Sequence, residues 1–217
     1  MALALFDLDD TLIGGNSPSL WTAHLADLGW VDRESFLARE QALVAQYAAL
    51  QATLEDYLAF SVQPLVGRTP AEIDCVADAF VEAVIEPLIL TDAMRAVAAH
   101  RAAGDRVLIV SASPTFLVAA IAARLGIAEL LATELELQHG GYSGRIVGIP
   151  CAREGKIARL EQWRREQGET LAGAHFYSDS RNDLPLLAHV DHPHAVNPDA
   201  ALRAHAERHG WDILDWR

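Results

Sequence analysis

The chain has 217 residues, 51% of them apolar, with 17 Lys plus Arg against 30 Asp plus Glu and a formal charge of −13. That apolar share builds a core and excludes a disordered chain, and the length suits one domain, or one domain with a large insertion. The acidic balance argues against nucleic acid or an anionic membrane surface as partner, since both attract basic patches, and no run reaches the roughly 18 apolar residues of a spanning helix. Two cysteines, Cys75 and Cys151, are too few for a disulfide framework. The opening residues carry no basic leader and meet an acid at Asp7, so a cytoplasmic protein, monomer or homodimer, is expected. Sixteen of the seventeen cations are Arg, and the one lysine is Lys156. A compact ammonium kept in an arginine-using chain marks a place where Arg substitutes poorly, unless that lysine simply lies on the surface.

In chain order, residues 3–6 form a short apolar run that ends in Asp7-Leu8-Asp9-Asp10-Thr11. Runs of this kind, without polar alternation, suit strands covered on both faces. After Gly14-Gly15 the texture turns helical: Ser17-Pro18 leads a pattern of Leu20, Trp21, His24, Leu25 and Leu28. Thr53 to Asp56 resembles a capping box with Asp in place of Glu, and Thr69-Pro70-Ala71-Glu72 is a full one. This stretch without strand signals predicts an all-helical insertion over 14–85, with 1–13 and 86–217 forming the core. A helix over 91–103 closes at Gly104, a strand follows at 107–110, and a helix over 116–125 closes at Gly126. Ser111-Ala112-Ser113-Pro114 lies between them, with Ser113 expected as N-cap and Pro114 as the first helical residue. Residues 135–147 read as a β-hairpin turning at His139-Gly140-Gly141. A helix over 155–163 carries Lys156, and a last run, Phe176-Tyr177, ends in Ser178-Asp179-Ser180-Arg181-Asn182-Asp183. Strand and helix in alternation predict an α/β fold, a doubly wound parallel sheet with ligands at the carboxyl ends of its strands.

Three polar clusters fall at that edge. Asp7-x-Asp9-x-Thr11 sets two carboxylates where a strand gives way to a loop, so both can face one cavity, although a capped turn has the same pattern. A hydroxyl with freed amides at the following helix start makes Ser111 and Ala112 candidates for an anion. Asp179, Asn182 and Asp183 add acids at the third strand end, where Asp and Asn also favour plain turns. Carboxylates that converge would hold protons unless a hard divalent cation balanced them, and Mg²⁺ takes one or two carboxylates together with phosphate oxygens. A fixed ammonium would complete the neutralisation, and Lys156 can supply it.

In that order these motifs resemble the haloacid dehalogenase superfamily of phosphohydrolases, over essentially the whole chain. The helical insertion after the first strand is similar to the cap of subfamily IB, the branch of phosphoserine phosphatases and histidinol-phosphatase-like enzymes. The resemblance implies a Rossmann-like core and a Mg²⁺-dependent phosphomonoesterase acting on a small-molecule phosphate ester. It also implies roles. Asp7 is the nucleophile that forms an aspartyl-phosphate, and Asp9 is the acid and then the base. Thr11, Ser111, Ala112 and Asn182 lie on the phosphate side, and Lys156 stabilises charge. Mg²⁺ falls to Asp7, Asp9 and Asp179 with Asp183 in support.

The pattern departs from phosphoserine phosphatases where they hold the substrate's amino group: nine residues after the nucleophile stands Asn16, not an acid. Ser61 occupies the place of a cap arginine, for which Arg68 could substitute, and Arg181 either lines the pocket or is solvated. Histidinol phosphate or a related ester is therefore favoured over phosphoserine. A mutase sharing the intermediate and a receiver-like phosphorylation switch stand as alternatives, although receivers lack so large a helical insertion. Trp21, Tyr47, Tyr57 and Phe60 either line the insertion's cavity or pack its core. His189, His192 and His194 with Asp191, and His205 with His209, resemble zinc sets but lack the partners such a site needs.

Overall fold

The computed structural model describes residues 2–49 and 51–217. β1 (Leu3–Phe6) is buried at every position and pairs in parallel with β2 (Arg106–Pro114) and β5 (His175–Ser178). A central strand has no solvent face, which is why its sequence is continuously apolar. Leu3 and Leu5 join Leu108, Val110 and Phe176 in one core cluster, while Ala4 and Phe6 join Val107, Ile109 and Tyr177 in the other. The two-residue period thus feeds both layers of an α/β/α sandwich.

The sheet order among the described residues is β4-β3-β2-β1-β5-β6-β7. β3 (Glu129–Gln138) runs parallel to β2 and then turns back as an antiparallel hairpin with β4 (Gly141–Val147). The hairpin matches expectation, with positive φ at His139 and Gly140 as a tight two-residue turn requires. β6 (His192–Val196) and β7 (Asp212–Leu214) extend the opposite edge. The sequence pattern predicts neither, because His and Pro interrupt the apolar run of β6 and β7 is only three residues long. α5 (Thr91–Ala102) and α6 (Thr115–Leu125) cover one face; α7 (Glu154–Gln167), α8 (Leu184–Leu187) and α9 (Ala200–His209) cover the other.

One expected boundary is corrected. β2 continues through Ser113 to Pro114, which pairs with Thr133 of β3, so α6 starts at Thr115 with Pro114 before it and no side-chain cap among the described residues. The strand partner outweighs the local Ser-Pro signal.

Between β1 and β2 the elements are helical: α1 (Ser17–Asp27), α2 (Arg33–Ala48), α3 (Leu54–Ser61) and α4 (Pro70–Phe80), the last running through a π-turn at Val81–Ile85. Both capping boxes form, at Thr53–Asp56 and Thr69–Glu72. α1 and α4 bury Trp21, Leu25, Ile73, Ala77 and Phe80 in the same core cluster as Phe6 and Ile109. α3 instead sets Leu54, Tyr57 and Leu58 in a small separate cluster with Leu43 and Tyr47 of α2 and with Ala112, Ile146 and Ala152. Gly141 closes the base of this region: a Cβ there would lie 2.8 Å from the Gly67 carbonyl. Among the described residues no helix is long and apolar enough to cross a membrane.

Candidate active site

The carboxyl ends of β1, β2 and β5 meet at one edge. Just past β1, the Asp7 carboxylate accepts from Lys156 Nζ at 2.9 Å, and the same ammonium donates to Asp183 at 2.6 Å. Ser178 Oγ also donates to that Asp183 oxygen, at 2.7 Å. Lys156 is only 2% exposed, which excludes the surface reading of the lone lysine. Its place in the first turn of α7 depends on a crowded approach, since a Cβ on Gly155 would stand 2.0 Å from the Pro150 carbonyl oxygen.

Asp9 has different partners, its carboxylate accepting from the Ser17 N–H at 2.5 Å and from Ser113 Oγ at 2.7 Å. Ser113, expected as a helix cap, therefore orients this carboxylate instead. Asp10 has a positive φ of 53° and accepts from the Gly15 N–H, closing the loop that launches α1. Asp179 follows β5 and faces the same cavity as Asp7, Asp9 and Asp10.

The electrostatics follow from this crowding. Burial pushes the Asp7 carboxyl up to about 7; Lys156 opposes the rise, and Asp183 and Asp9 add to it. Burial also raises Asp9, against its bonds from Ser17 and Ser113. Asp179 is pushed up to about 9 by burial and then by Asp7, Asp10 and Asp183. Burial alone would lower the Lys156 ammonium, but Asp183 and Asp7 outweigh it and hold it above its ordinary range.

The cavity, about 150 Å³, is lined by Asp7, Asp9, Asp10, Asn16, Tyr47, Ala112, Ala152, Arg153, Lys156, Asp179, Ser180, Asn182 and Asp183. Of the residues singled out in the sequence, Thr11, Ser111 and Arg181 are not among them. Thr11 is fully buried because the loop folds back, with Leu12 and Ile13 N–H both on the Leu8 carbonyl, and its hydroxyl has no partner among the described residues. Ser111 is 1% exposed and accepts from the Ser113 N–H. Arg181 is exposed, with its N–H on Asp199. Asn16 lines the cavity while capping α1 through Ser19 N–H. Arg68 lies over Trp30, 3.5 Å from its ring centre, away from the cavity. Trp21 is core, in edge contact with Phe80 and Phe116, and Phe60 stacks on Phe36; Tyr47 and Tyr57 do line cavities.

A second, mostly apolar cavity of about 90 Å³ adjoins the first across Asp9, Asn16, Tyr47 and Ala112, and adds Pro18, Val44, Leu54, Tyr57, Leu58 and Ser113. Behind it Glu40, 4% exposed, accepts from Ser19 Oγ at 2.6 Å and Tyr57 OH at 3.2 Å. A third cavity, about 490 Å³, opens between α3 and the start of α7. Tyr47, Ala152 and Arg153 are shared between it and the carboxylate cavity.

Arg153 is the residue that sequence reading missed. Its backbone, at φ 52° and ψ −125°, is the first corner of a turn closed by Gly155 N–H on the Ala152 carbonyl. Glycine ordinarily fills that corner, and a side chain there costs of order 1–3 kcal/mol. Nothing in the residue string announces such a conformation.

Residues 4–188 match the family model of haloacid dehalogenase-like hydrolases. A histidinol-phosphatase of Neisseria meningitidis serogroup C is 37% identical over 99% of either chain. A phosphoserine phosphatase of Mycobacterium tuberculosis is 32% identical over 100% of this chain and 71% of its own. The crystal structure of a protein of unknown function from Bordetella pertussis Tohama I has 38% identity and a TM-score of 0.92, covering 99% of this chain and 98% of that one. The matched stretch runs from β1 past the Asp179–Asp183 loop, so the chain is an enzyme that belongs to the haloacid dehalogenase-like hydrolases and groups there with phosphatases.

Proposed function

We propose that this enzyme hydrolyses a phosphomonoester of a small metabolite through an aspartyl-phosphate on Asp7, with Mg²⁺ as cofactor. The observation that carries the reading is Lys156 bonded to both Asp7 and Asp183 at a cavity that Asp9 and Asp179 share. In the first step an Asp7 oxygen attacks phosphorus and the ester oxygen leaves, taking a proton from Asp9. In the second, Asp9 takes a proton from water, whose oxygen attacks phosphorus and frees Asp7. Burial raises Asp9, which favours the proton-carrying form this role needs. Lys156 holds Asp7 in place and offers positive charge to the phosphoryl oxygens, with the N–H of Ala112, which lines the cavity, and the buried hydroxyl of the preceding Ser111 assigned to the same group.

The donor set suits a hard cation. Acids crowd the cavity so closely that Asp179 is driven far above the usual carboxylate range. Asp183 is committed to Lys156 and Ser178, and the Asp9 carboxylate to Ser17 and Ser113. By the family resemblance Mg²⁺ is assigned to the Asp7 and Asp179 carboxylates and the Asp9 carbonyl, with Asp183 in support, consistent with an ion that keeps several waters. Bound there, it supplies charge against the phosphoryl oxygens.

Histidinol phosphate is the first substrate to test, by similarity to the Neisseria enzyme across 99% of both chains. The apolar annex beside Asp9, backed by buried Glu40, suits a leaving alcohol that carries a ring and a positive nitrogen. Asn16 supplies no carboxylate for the amine of phosphoserine, and its side-chain oxygen already caps α1. The 14–85 insertion acts as a cap, with α2 and α3 its moving part. Two unpaired cysteines, Cys75 and Cys151, fit a reducing, cytoplasmic setting.

Phosphate release from a panel of esters, with and without Mg²⁺, tests the proposal. Histidinol phosphate, phosphoserine, sugar phosphates and nucleotides belong in it, beside Asp7→Asn. We expect metal-dependent release, preferring histidinol phosphate, and none from the variant with its fold intact. Turnover retained by Asp7→Asn would overturn the mechanism.

A further inference from the structure

We infer that Arg153 is a substrate-binding residue, whose guanidinium takes a phosphoryl oxygen at the passage between the outer cavity and the carboxylate cavity. The inference rests on the phosphatase reading above.

Arg153 lines both cavities, so a ligand that reaches Asp7 from the outer one passes it. Its Nη2 is buried and has no hydrogen-bond partner among the described residues, although acids line the same cavity. A buried guanidinium N–H without an acceptor is an unpaired donor that an incoming anion can satisfy. The planar fork suits phosphate better than any other side chain does. The guanidinium also lies over Tyr47 of α2, 5.4 Å from the ring centre, which holds it against the helical insertion. Finally, the backbone sits at a positive φ that glycine would adopt without strain. The side chain is therefore what this position supplies, at a cost to the turn. Because Tyr47 carries the guanidinium, phosphate binding and the seating of α2 become a single event.

The test compares wild type with Arg153→Gly and Arg153→Lys. Readouts are KM for histidinol phosphate and for p-nitrophenyl phosphate, the affinity for inorganic phosphate by calorimetry in Mg²⁺, and the melting temperature. Losing one charge-assisted hydrogen bond predicts about a tenfold or larger rise in both KM values and in the phosphate Kd for Arg153→Gly. Its melting temperature stays level or rises, because the strained corner relaxes. Arg153→Lys recovers part of the affinity. Unchanged KM and phosphate Kd in Arg153→Gly would overturn the inference, and so would a lowered melting temperature with affinity intact, the mark of a structural arginine. A rise in KM confined to the cationic ester would also overturn it, since the contact is to the phosphoryl group. If wild type releases phosphate from no ester, the phosphatase reading fails by itself, and the inorganic phosphate titration still decides the anion contact.

Discussion

At the scale of single residues, the centre is an ammonium between two buried carboxylates. Lys156, Asp7 and Asp183 are each under a tenth exposed, so removing the cation strands both acids in a poorly solvated place. Lys156→Met is expected to lose activity and to destabilise the fold by about 3–5 kcal/mol, the usual cost of breaking a buried pair from one side. Urea denaturation measures this, and adding Asp183→Asn to the same chain should recover part of the stability without recovering turnover. An equal midpoint for wild type and Lys156→Met would contradict the picture. The lysine was legible in the sequence because it is the only one in an arginine-using chain. Ser113 was visible but misassigned, because a Ser-Pro pair reads as a helix start until β3 is seen to pair with Pro114. Arg153 was not legible, since its importance lies in a φ and an unpaired nitrogen.

At the scale of elements, the helical insertion divides into two energetic regimes. α1 and α4 share the main core, whereas α2 and α3 rest on the small Leu54, Tyr57 and Leu58 cluster. Local opening is easier where few apolar groups are buried. The two capping boxes provide matched probes, each worth roughly 1 kcal/mol on replacement of its threonine. Thr69→Ala should lower global stability by about that amount. Thr53→Ala should mainly speed amide exchange across α3, with less effect on the global midpoint. Hydrogen exchange beside a denaturation curve separates the two, and equal global losses would argue against a separately opening α2–α3 unit. Both boxes were readable from four-residue patterns because capping is local chemistry. The sharing of a core between α4 and α6 was not, since it joins residues far apart in the chain.

At the scale of the molecule, the second notable network lies around β5 and β6. His194 donates or accepts at 2.9 Å with His175, reaches Asp212 at 3.2 Å and stacks on Tyr177. His100 joins Asp105 to the Tyr177 hydroxyl, and Phe6 and Trp216 also stack against that ring. Burial, then the neighbouring His175, pushes His194 from 6.5 down to about 4, with Asp212 opposing. The unfolded chain binds this proton more readily than the folded one, so stability is full above pH 6.5 and falls as pH drops towards 4. The drop is up to about 3 kcal/mol, at 1.36 kcal/mol per unit. Melting temperatures across pH 4–8 check this, and His194→Phe should flatten the curve between 4 and 6.5. An unchanged slope would mean that other groups carry the acid sensitivity. The histidine spacings resemble zinc sets in the sequence, whereas in the fold His192 stacks on His175, His205 stacks on His209, and His189 pairs with Glu161.

The sequence by itself determined the class of the sheet, the helical character of the stretch between β1 and β2, and the hairpin. Each is set by neighbours within a few residues: an unbroken apolar run marks a covered strand, and a capping box or a glycine turn satisfies its own backbone. Only the tertiary structure decided which of the singled-out residues share a cavity. It turned Thr11 inward, gave Ser113 to Asp9, and brought Tyr47 from the insertion over Arg153. Lys156 and Asp7 are 149 positions apart and meet at 2.9 Å because β1 and α7 pack on one sheet. Local chemistry fixes what each segment becomes, while burial and the close approach of distant backbone decide which side chains can act together.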